Sequence, residues 1–274
     1  MENSKIRQIH IQLLNFIESE VVPITLREGE NDYVIKADET GTKTLTTPAD
    51  TLIQEILINK LLSIFPEAGI IAEELTQGHE ILKDYNWIID PIDGTHNFQK
   101  RLDMWGTSIA LWHKDTPLYA MTYFPKCYDK FFYAIKGLGA FDQHNKKVKL
   151  FPSHGFNYTY SIDSYTREFK RGIYNLNYLS EISFKSVGCV LYSSYNMFKG
   201  GQEFNILYKQ CIWDFAALVL IAKEIGLSVD FITDTKFGSP DFSTLRRTLL
   251  IYKPDLPKEF LEKLKLDIQK LCLF

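Results

Sequence analysis

Residues 87–98 read Trp87-Ile88-Ile89-Asp90-Pro91-Ile92-Asp93-Gly94-Thr95-His96-Asn97-Phe98. The apolar run Trp87-Ile88-Ile89 predicts a short buried strand. Pro91 restrains the backbone and has no N–H, so the chain is expected to leave the strand there in a fixed turn. Asp90 and Asp93 stand three residues apart across that turn, close enough to converge on one point. Gly94 allows a close backbone approach, and Thr95 stands where a helix can begin, with free N–H groups suited to a phosphate. Two carboxylates beside a phosphate repel it. At an effective dielectric near 20, unit charges about 4 Å apart interact by roughly 4 kcal/mol. A hard divalent cation removes that conflict, and oxygen-only ligands favour Mg²⁺ or Mn²⁺ over zinc.

An isolated Asp-Gly is ordinarily a turn signal. Two further segments argue against that reading here. Gly69-Ile70-Ile71-Ala72 is an apolar strand that ends in Glu73-Glu74, and Trp213-Asp214 opens the apolar helix Phe215-Ala216-Ala217-Leu218. Each acid closes or opens a buried element, where an uncompensated charge is costly. Three such segments, remote in sequence and alike in placement, are expected to meet.

Around them the chain reads as alternating elements. Ile6, Ile9, Leu13, Phe16 and Ile17 predict an amphipathic helix over about 4–20. The polar stretch Glu28 to Thr46 reads as a mobile loop or loose hairpin. A helix is expected from Thr47-Pro48 to before Pro66, with proline in its first turn. The runs SIALWH, PLYAMTYFP, KFFYAIKG and GAF, between Gly106 and Phe141, read as an antiparallel meander. Beyond residue 155 strands and helices alternate: NYTYSID, a helix near 190–199, EFNILY, a helix over about 214–225, SVDFI, TLLIYK, and a last helix from Pro257 to Leu271. A layered α/β (α+β) architecture follows, with halves 1–150 and 151–274, the first carrying most of the acids and the second Asp214.

Composition narrows the function classes. With 45% hydrophobic residues in 274, a sizeable core is available. A net charge of -3 argues against a generally basic nucleic-acid surface. Cys127, Cys189, Cys211 and Cys272 are scattered, without a C-x-x-C pair, and read as buried reduced thiols rather than a zinc site or disulfide framework. No apolar run approaches the roughly 20 residues of a membrane span, and the N-terminus lacks a signal peptide's apolar core, so the expected location is the cytoplasm. His96 and the stripe Tyr119, Tyr123, Phe124, Phe131, Phe132, Tyr133 are read as surface residue and sheet core respectively. Glu74 is read as packing, or as a residue standing behind the ligands, rather than as a ligand.

The chain resembles the inositol monophosphatase family, within the lithium-sensitive, magnesium-dependent phosphatases related to fructose-1,6-bisphosphatase. The matching pieces are Thr47-Pro48-Ala49-Asp50, Ile71-Ala72-Glu73-Glu74, residues 87–98, Lys136-Gly137-Leu138-Gly139-Ala140-Phe141, Ser186-Val187-Gly188 and Trp213-Asp214-Phe215-Ala216-Ala217, in family order. The resemblance implies an αβαβα sandwich of the sugar-phosphatase type, with an antiparallel N-terminal sheet and a smaller mixed C-terminal sheet. It implies that Glu73, Asp90 and the Ile92 carbonyl hold one Mg²⁺ and that Asp90, Asp93 and Asp214 hold a second, with a weaker third near Glu73 and Mn²⁺ a possible substitute. Catalysis would fall to Thr95, Asp50 and Glu73, the Thr95 hydroxyl bonding Asp50 and helping to activate water. The Gly94 and Thr95 N–H groups would hold phosphate, and Lys36 matches a loop lysine near the metals.

The reaction implied is hydrolysis of inositol monophosphate or a related sugar or polyol phosphate by metal-activated water. The substrate would lie against Gly94, Thr95, Ile92, Asp93, Gly188, Cys189, Val190, Leu207 and Asp214. Leu207 stands where inositol phosphatases usually carry a glutamate, and Gly188-Cys189-Val190 is bulkier than the family's small segment. Histidinol phosphate, fructose 1,6-bisphosphate and 3′-phosphoadenosine 5′-phosphate are therefore alternative substrates, and a catalytically silent binding protein is the non-enzymatic alternative. The resemblance also implies inhibition by lithium and a possible homodimer, while the charge balance and the lack of a membrane-length apolar run predict no nucleic-acid or membrane partner.

Overall fold

The computed structural model describes residues 2–27, 34–37, 43–75, 83–153, 159–163, 167–176, 178, 183–232 and 246–272. Helix α1 (Asn3–Phe16) buries Ile6, Ile9 and Leu13 as their spacing requires. The helical path continues past the expected end near residue 20, through a π-helical turn at Ile17–Val21 into α2 (Val22–Arg27). Pro23 has no N–H for an i−4 carbonyl, and the wider turn just before it absorbs that mismatch. The polar stretch that follows contains a hairpin of β1 (Val34–Ala37) and β2 (Lys43–Thr46). The Lys36 side chain and the residues flanking these strands, 28–33 and 38–42, lie outside the described set. Helix α3 (Pro48–Ile64) starts at a capping box, in which the Thr47 hydroxyl accepts from the Asp50 N–H and the Asp50 carboxylate accepts from the Thr47 N–H.

The strands β3 (Gly69–Ala72) and β4 (Tyr85–Asp93), the short helix α4 (Thr95–Gln99), and the strands β5 (Gly106–His113), β6 (Thr116–Tyr123), β7 (Phe131–Ile135) and β8 (Gly139–Asp142) follow. The six strands form one sheet in chain order, antiparallel except for the parallel β3–β4 pair. The remaining elements are β9 (Thr159–Asp163), α5 (Arg167–Tyr174), β10 (Ser183–Lys185), α6 (Val190–Phe198), β11 (Phe204–Gln210), α7 (Ile212–Ile225), β12 (Ser228–Phe231), β13 (Arg247–Tyr252) and α8 (Lys258–Leu271). Their strands make a mixed sheet, ordered β10-β9-β11-β13-β12. Helix α5 and strand β10 have no counterpart in the sequence reading.

Period-2 alternation sorts each strand between two interfaces. Trp87, Ile89 and Leu111 face α1 and α3, whereas Ile88, Ala110 and Trp112 face α7. Helix α7 meets a sheet on both sides, which is why Phe215 to Ala222 are buried without interruption. The outer face of the second sheet, including Tyr160, Phe204 and Leu250, packs on α5 and α8 through Phe169, Ile173, Leu264 and Ile268. The layers are therefore αβαβα. The aromatic stripe of the meander is buried in them. No helix among the described residues is long and apolar enough to cross a membrane.

Two polar devices lock the layers. The Glu224 carboxylate near the end of α7 accepts from the N–H groups of Gly137 (2.7 Å) and Gly139 (2.8 Å), which gives the Lys136–Phe141 motif its role as the turn that docks β7 and β8 on α7. Where the central strands β11 and β13 of the second sheet begin and end, Lys253 and Glu203 form an ion pair at 3.1 Å with both side chains essentially unexposed. Glu203 also accepts from the Thr159 N–H, and Lys253 donates to the Pro152 carbonyl. Removing one partner strands the other charge in the core. Lys253→Met is expected to destabilise the fold by about 3–5 kcal/mol. Urea unfolding reads this directly, and a loss under about 1 kcal/mol would show that the pair is not the buried clamp described.

Candidate active site

The acids are brought together by strand register. Strands β3 and β4 run parallel with Ala72 opposite Ile89, and the Glu73 N–H donates to the Ile89 carbonyl, so Glu73 comes to lie beside Asp90. The expected exit at Pro91 is instead a bulge. Asp90 pairs with Ser108 and Asp93 with Gly106, three residues against two, and the strand ends only after Asp93. Pro91 fits this because a bulge residue needs no ladder N–H. The Thr107 hydroxyl donates to the Pro91 carbonyl at 2.8 Å and fixes the bulge. The turn itself is Gly94, in the left-handed region at φ 86°. A side chain there would meet Cys189 Cβ at 2.9 Å and the Met104 carbonyl at 3.0 Å.

Thr95, the first residue of α4, has one hydroxyl proton and two acceptors, Asp50 Oδ1 at 3.3 Å and the Ile92 carbonyl at 3.0 Å. Asp50 is unexposed, its other oxygen taken by Thr47. Asp93 reaches to the start of α6. Its Oδ2 accepts from the Leu191 N–H (2.5 Å) and lies 3.2 Å from the Cys189 thiol, so it caps α6 from 98 residues away. Asp214, in the first turn of α7, accepts from the Cys211 N–H at 2.7 Å. Glu74 is held by the Thr46 hydroxyl and by Gln54, outside the cluster proper.

Electrostatics shows that these groups share one neighbourhood. Burial, then the charges of Asp214, Glu74 and Asp50, push Glu73 well above the usual carboxylate range. Burial, then Glu73, Asp93, Asp214 and Asp50, do the same to Asp90. Burial raises Asp214 to about 7 with help from Asp93, opposed by the Cys211 N–H and by Arg246. Asp50 and Asp93 rise to about 6, mainly by burial, against the hydrogen bonds of Thr47 and of the Leu191 N–H respectively. Asp90 Oδ1 is buried and has no hydrogen-bond partner.

Among the described residues, no three His, Cys, Asp or Glu side chains form a group that could hold an ion. Asp93 and Asp214 each keep an oxygen on a helix N-terminus. A hard cation nonetheless fits the donors: all are carboxylate or carbonyl oxygens, their charges are mutually repulsive, and Asp90 Oδ1 is an acceptor that nothing satisfies.

These shifts make stability depend on pH. A carboxyl raised in the fold binds more protons folded than unfolded. Its contribution is therefore complete below pH 4 and is lost as pH rises through the folded value. His10, pulled down to about 4 by burial beneath Tyr133, works the opposite way below pH 6.5. Five raised acids outweigh one histidine. In EDTA the urea midpoint should fall between pH 5.5 and pH 8, and Mg²⁺ should restore it at pH 8. A higher midpoint at pH 8 in EDTA would contradict the crowded cluster.

The other expected site residues are spread differently. Gly188 is exposed, at φ 71°, with the Asn97 amide 3.8 Å from where its Cβ would be. The same Asn97 amide nitrogen donates to the Met104 and Val187 carbonyls, both at 2.8 Å, and so ties the segment after α4 to the one before α6. Cys189 and Val190 are buried at the start of α6, and Leu207 is wholly buried in the core beside α7. His96 is exposed. Of the cysteines, none of which is in a disulfide, Cys189 and Cys211 are buried, whereas Cys127 and Cys272 are only half-buried. Sequence reading missed the helix-capping role of Asp93 and the Asn97 bridge. Nothing in the sequence marked the latter, since Asn97 stands among other polar residues, Thr95, His96 and Gln99.

The model of the inositol monophosphatase family matches residues 5–262. A fructose-1,6-bisphosphatase/inositol-1-monophosphatase of Aquifex aeolicus is 25% identical over 240 residues, 82% of this chain and 86% of that protein. The Nus factor SuhB of Vibrio cholerae is 29% identical over 223 residues, covering 76% and 80%. Among solved structures, an IMPase/NADP phosphatase complexed with Mg²⁺ and phosphate superimposes with a TM-score of 0.74 at 22% identity, covering 96% of this chain and 95% of that one.

Proposed function

The chain belongs to the inositol monophosphatase family, and we propose that this phosphatase hydrolyses a small sugar or polyol phosphate, inositol monophosphate being the leading candidate, with two to three Mg²⁺ ions. The observation that carries the metal dependence is the buried, partnerless Asp90 Oδ1 within a ring of carboxylates. Glu73, Asp90 and the Ile92 carbonyl would hold one ion, and Asp90, Asp93 and Asp214 another. Bound divalent ions neutralise the phosphate and the acids and lower the pKa of a coordinated water towards 7.

The chain's own residues supply the positioning. Thr95 donates its hydroxyl proton to Asp50, which leaves the Thr95 oxygen lone pairs to accept from a water and aim it. With its carboxyl at about 6, Asp50 is ionised at neutral pH and ready to accept. Glu73, hydrogen-bonded to Asp90, would be the second proton acceptor once its charge is balanced. Gly94 and Thr95 would offer N–H groups to the phosphate, and Gly188, Cys189 and Val190 would form the wall opposite. Transfer of a phosphoryl group needs chiefly this alignment and charge balance.

A relative named for both fructose-1,6-bisphosphatase and inositol-1-monophosphatase supports the phosphomonoester class and keeps the bisphosphate substrate in play. The cytoplasm suits a small metabolite. The test is a panel of inositol 1-phosphate, histidinol phosphate, fructose 1,6-bisphosphate and 3′-phosphoadenosine 5′-phosphate with Mg²⁺, read as released phosphate. Turnover of inositol phosphate above the others is expected. Preference for histidinol phosphate would overturn the substrate assignment, and absence of turnover on every member would favour the silent binding protein. Uncompetitive inhibition by lithium is expected in the same assay.

A further inference from the structure

The bulge that separates Asp90 from Asp93 on β4 has a counterpart ahead of Asp214. On β11, Leu207 pairs with Leu249 and Gln210 with Arg247, again three steps along one strand against two along the other. In both places a threonine stands opposite the bulge on the partner strand. Thr107, between Gly106 and Ser108, donates its hydroxyl to the Pro91 carbonyl. Thr248, between Arg247 and Leu249, is wholly buried, and its hydroxyl oxygen accepts from the Lys209 N–H at 3.2 Å. The Cys272 thiol, just past α8, lies 3.7 Å from the same oxygen.

The bulge residue Lys209 sits in the left-handed region, at φ 49°, which its side chain makes unfavourable. Such a conformation persists only where its surroundings fix it, and two contacts do so. Thr248 takes the Lys209 N–H, and Arg246 Nη1 donates to the Lys209 carbonyl at 3.2 Å. Gln210 closes the bulge, and the next residue, Cys211, is the N-cap of α7. The Cys211 N–H donates to the Asp214 carboxylate at 2.7 Å, and the Asp214 N–H donates back to the Cys211 carbonyl at 3.2 Å. The bulge thus sets where α7 begins and, through Cys211, where the Asp214 carboxylate is held. Arg246 is close enough to Asp214 for its charge to act there.

We propose that Thr248 and Arg246 are positioning residues for Asp214, which pin the Lys209 bulge and so hold that carboxylate in place for the second divalent ion. Neither touches the ion, the substrate or the reacting atoms. This rests on the metal assignment made for the phosphatase and extends it to the groups behind one ligand. Groups of this kind set the orientation of a ligand and hence the affinity for its metal.

The test titrates Mn²⁺ without substrate, following the paramagnetic resonance signal of the free ion, in wild type, Asp214→Asn, Thr248→Val and Thr248→Ser. Wild type should bind at least two ions, and Asp214→Asn identifies the one that depends on Asp214. Thr248→Val keeps the shape and removes the hydroxyl. It should weaken that same ion by about ten- to a hundredfold and leave the other within about twofold, and Thr248→Ser should restore it. Arg246→Met adds a test of sign, and decides alone if Thr248→Val does not fold. Removing a positive charge beside Asp214 favours a cation, so a purely electrostatic role would tighten that ion, whereas loss of a positioning contact weakens it. Equal affinities in wild type and Thr248→Val, equal weakening of both ions, or an ion no weaker in Arg246→Met would each overturn the proposal while the metal reading stands. A wild type that binds no Mn²⁺ sinks the metal reading and the proposal with it.

Discussion

Asp90→Asn is expected to lower kcat/KM roughly a thousandfold, about 4 kcal/mol of transition-state stabilisation, while making the metal-free protein more stable. Both effects have one cause. Asp90 is essentially unexposed, its Oδ1 has no partner, and Glu73, Asp93, Asp214 and Asp50 all raise its proton affinity. The amide keeps the shape and removes a charge from a crowded site, and its N–H₂ can donate to Glu73. It also removes the one ligand assigned to both ions. A residue that only shaped the core would lose stability and activity together. Urea unfolding in EDTA at pH 8, beside phosphate release in Mg²⁺, separates the two. Near-normal turnover, or a metal-free variant less stable than wild type, would contradict the role given to Asp90.

Withdrawal of divalent cations should abolish turnover, by more than about a thousandfold, and Mg²⁺ should restore it. Without a counter-charge the buried carboxylates either hold protons or repel the phosphate, and neither state can align a water on phosphorus. The shared proton acceptance of Asp50 and the Ile92 carbonyl at Thr95 points the same way, because the hydroxyl is aimed only when one acceptor is otherwise engaged. Activity that survives exhaustive chelation would place the chemistry on the side chains alone and remove the reason for the cluster.

Much of this was legible in residues 87–98. An apolar strand ending in two acids, a proline and a glycine carries its own local physics, and the strand, turn and short helix follow from it. Helix α7 was legible because a run from Phe215 to Ala222 with no polar face can only lie between two layers. The bulge at Pro91 was less so. Proline announces a break in pairing, but only the partner strand, with Gly106 opposite Asp93, turns that break into an extra residue rather than an exit. The capping of α6 by Asp93 depends on a contact 98 residues long, which no spacing encodes. Helix α5 and strand β10 sit in a stretch with little periodicity, where tertiary contacts through Phe169 and Ile173 decide the structure. Leu207 marks another boundary. Its spacing from Asp214 suggests the pocket, whereas its side chain is wholly buried in the core.

The most direct test of the account is diffraction from crystals grown with Mn²⁺ and phosphate, with anomalous maps at the manganese edge. At least two peaks are expected in the cluster, both bonded to Asp90, one also to Glu73 and the other also to Asp93 and Asp214, with phosphate against the Gly94–Thr95 turn. Manganese found only elsewhere on the protein, with Glu73, Asp90 and Asp214 left unliganded, would contradict it.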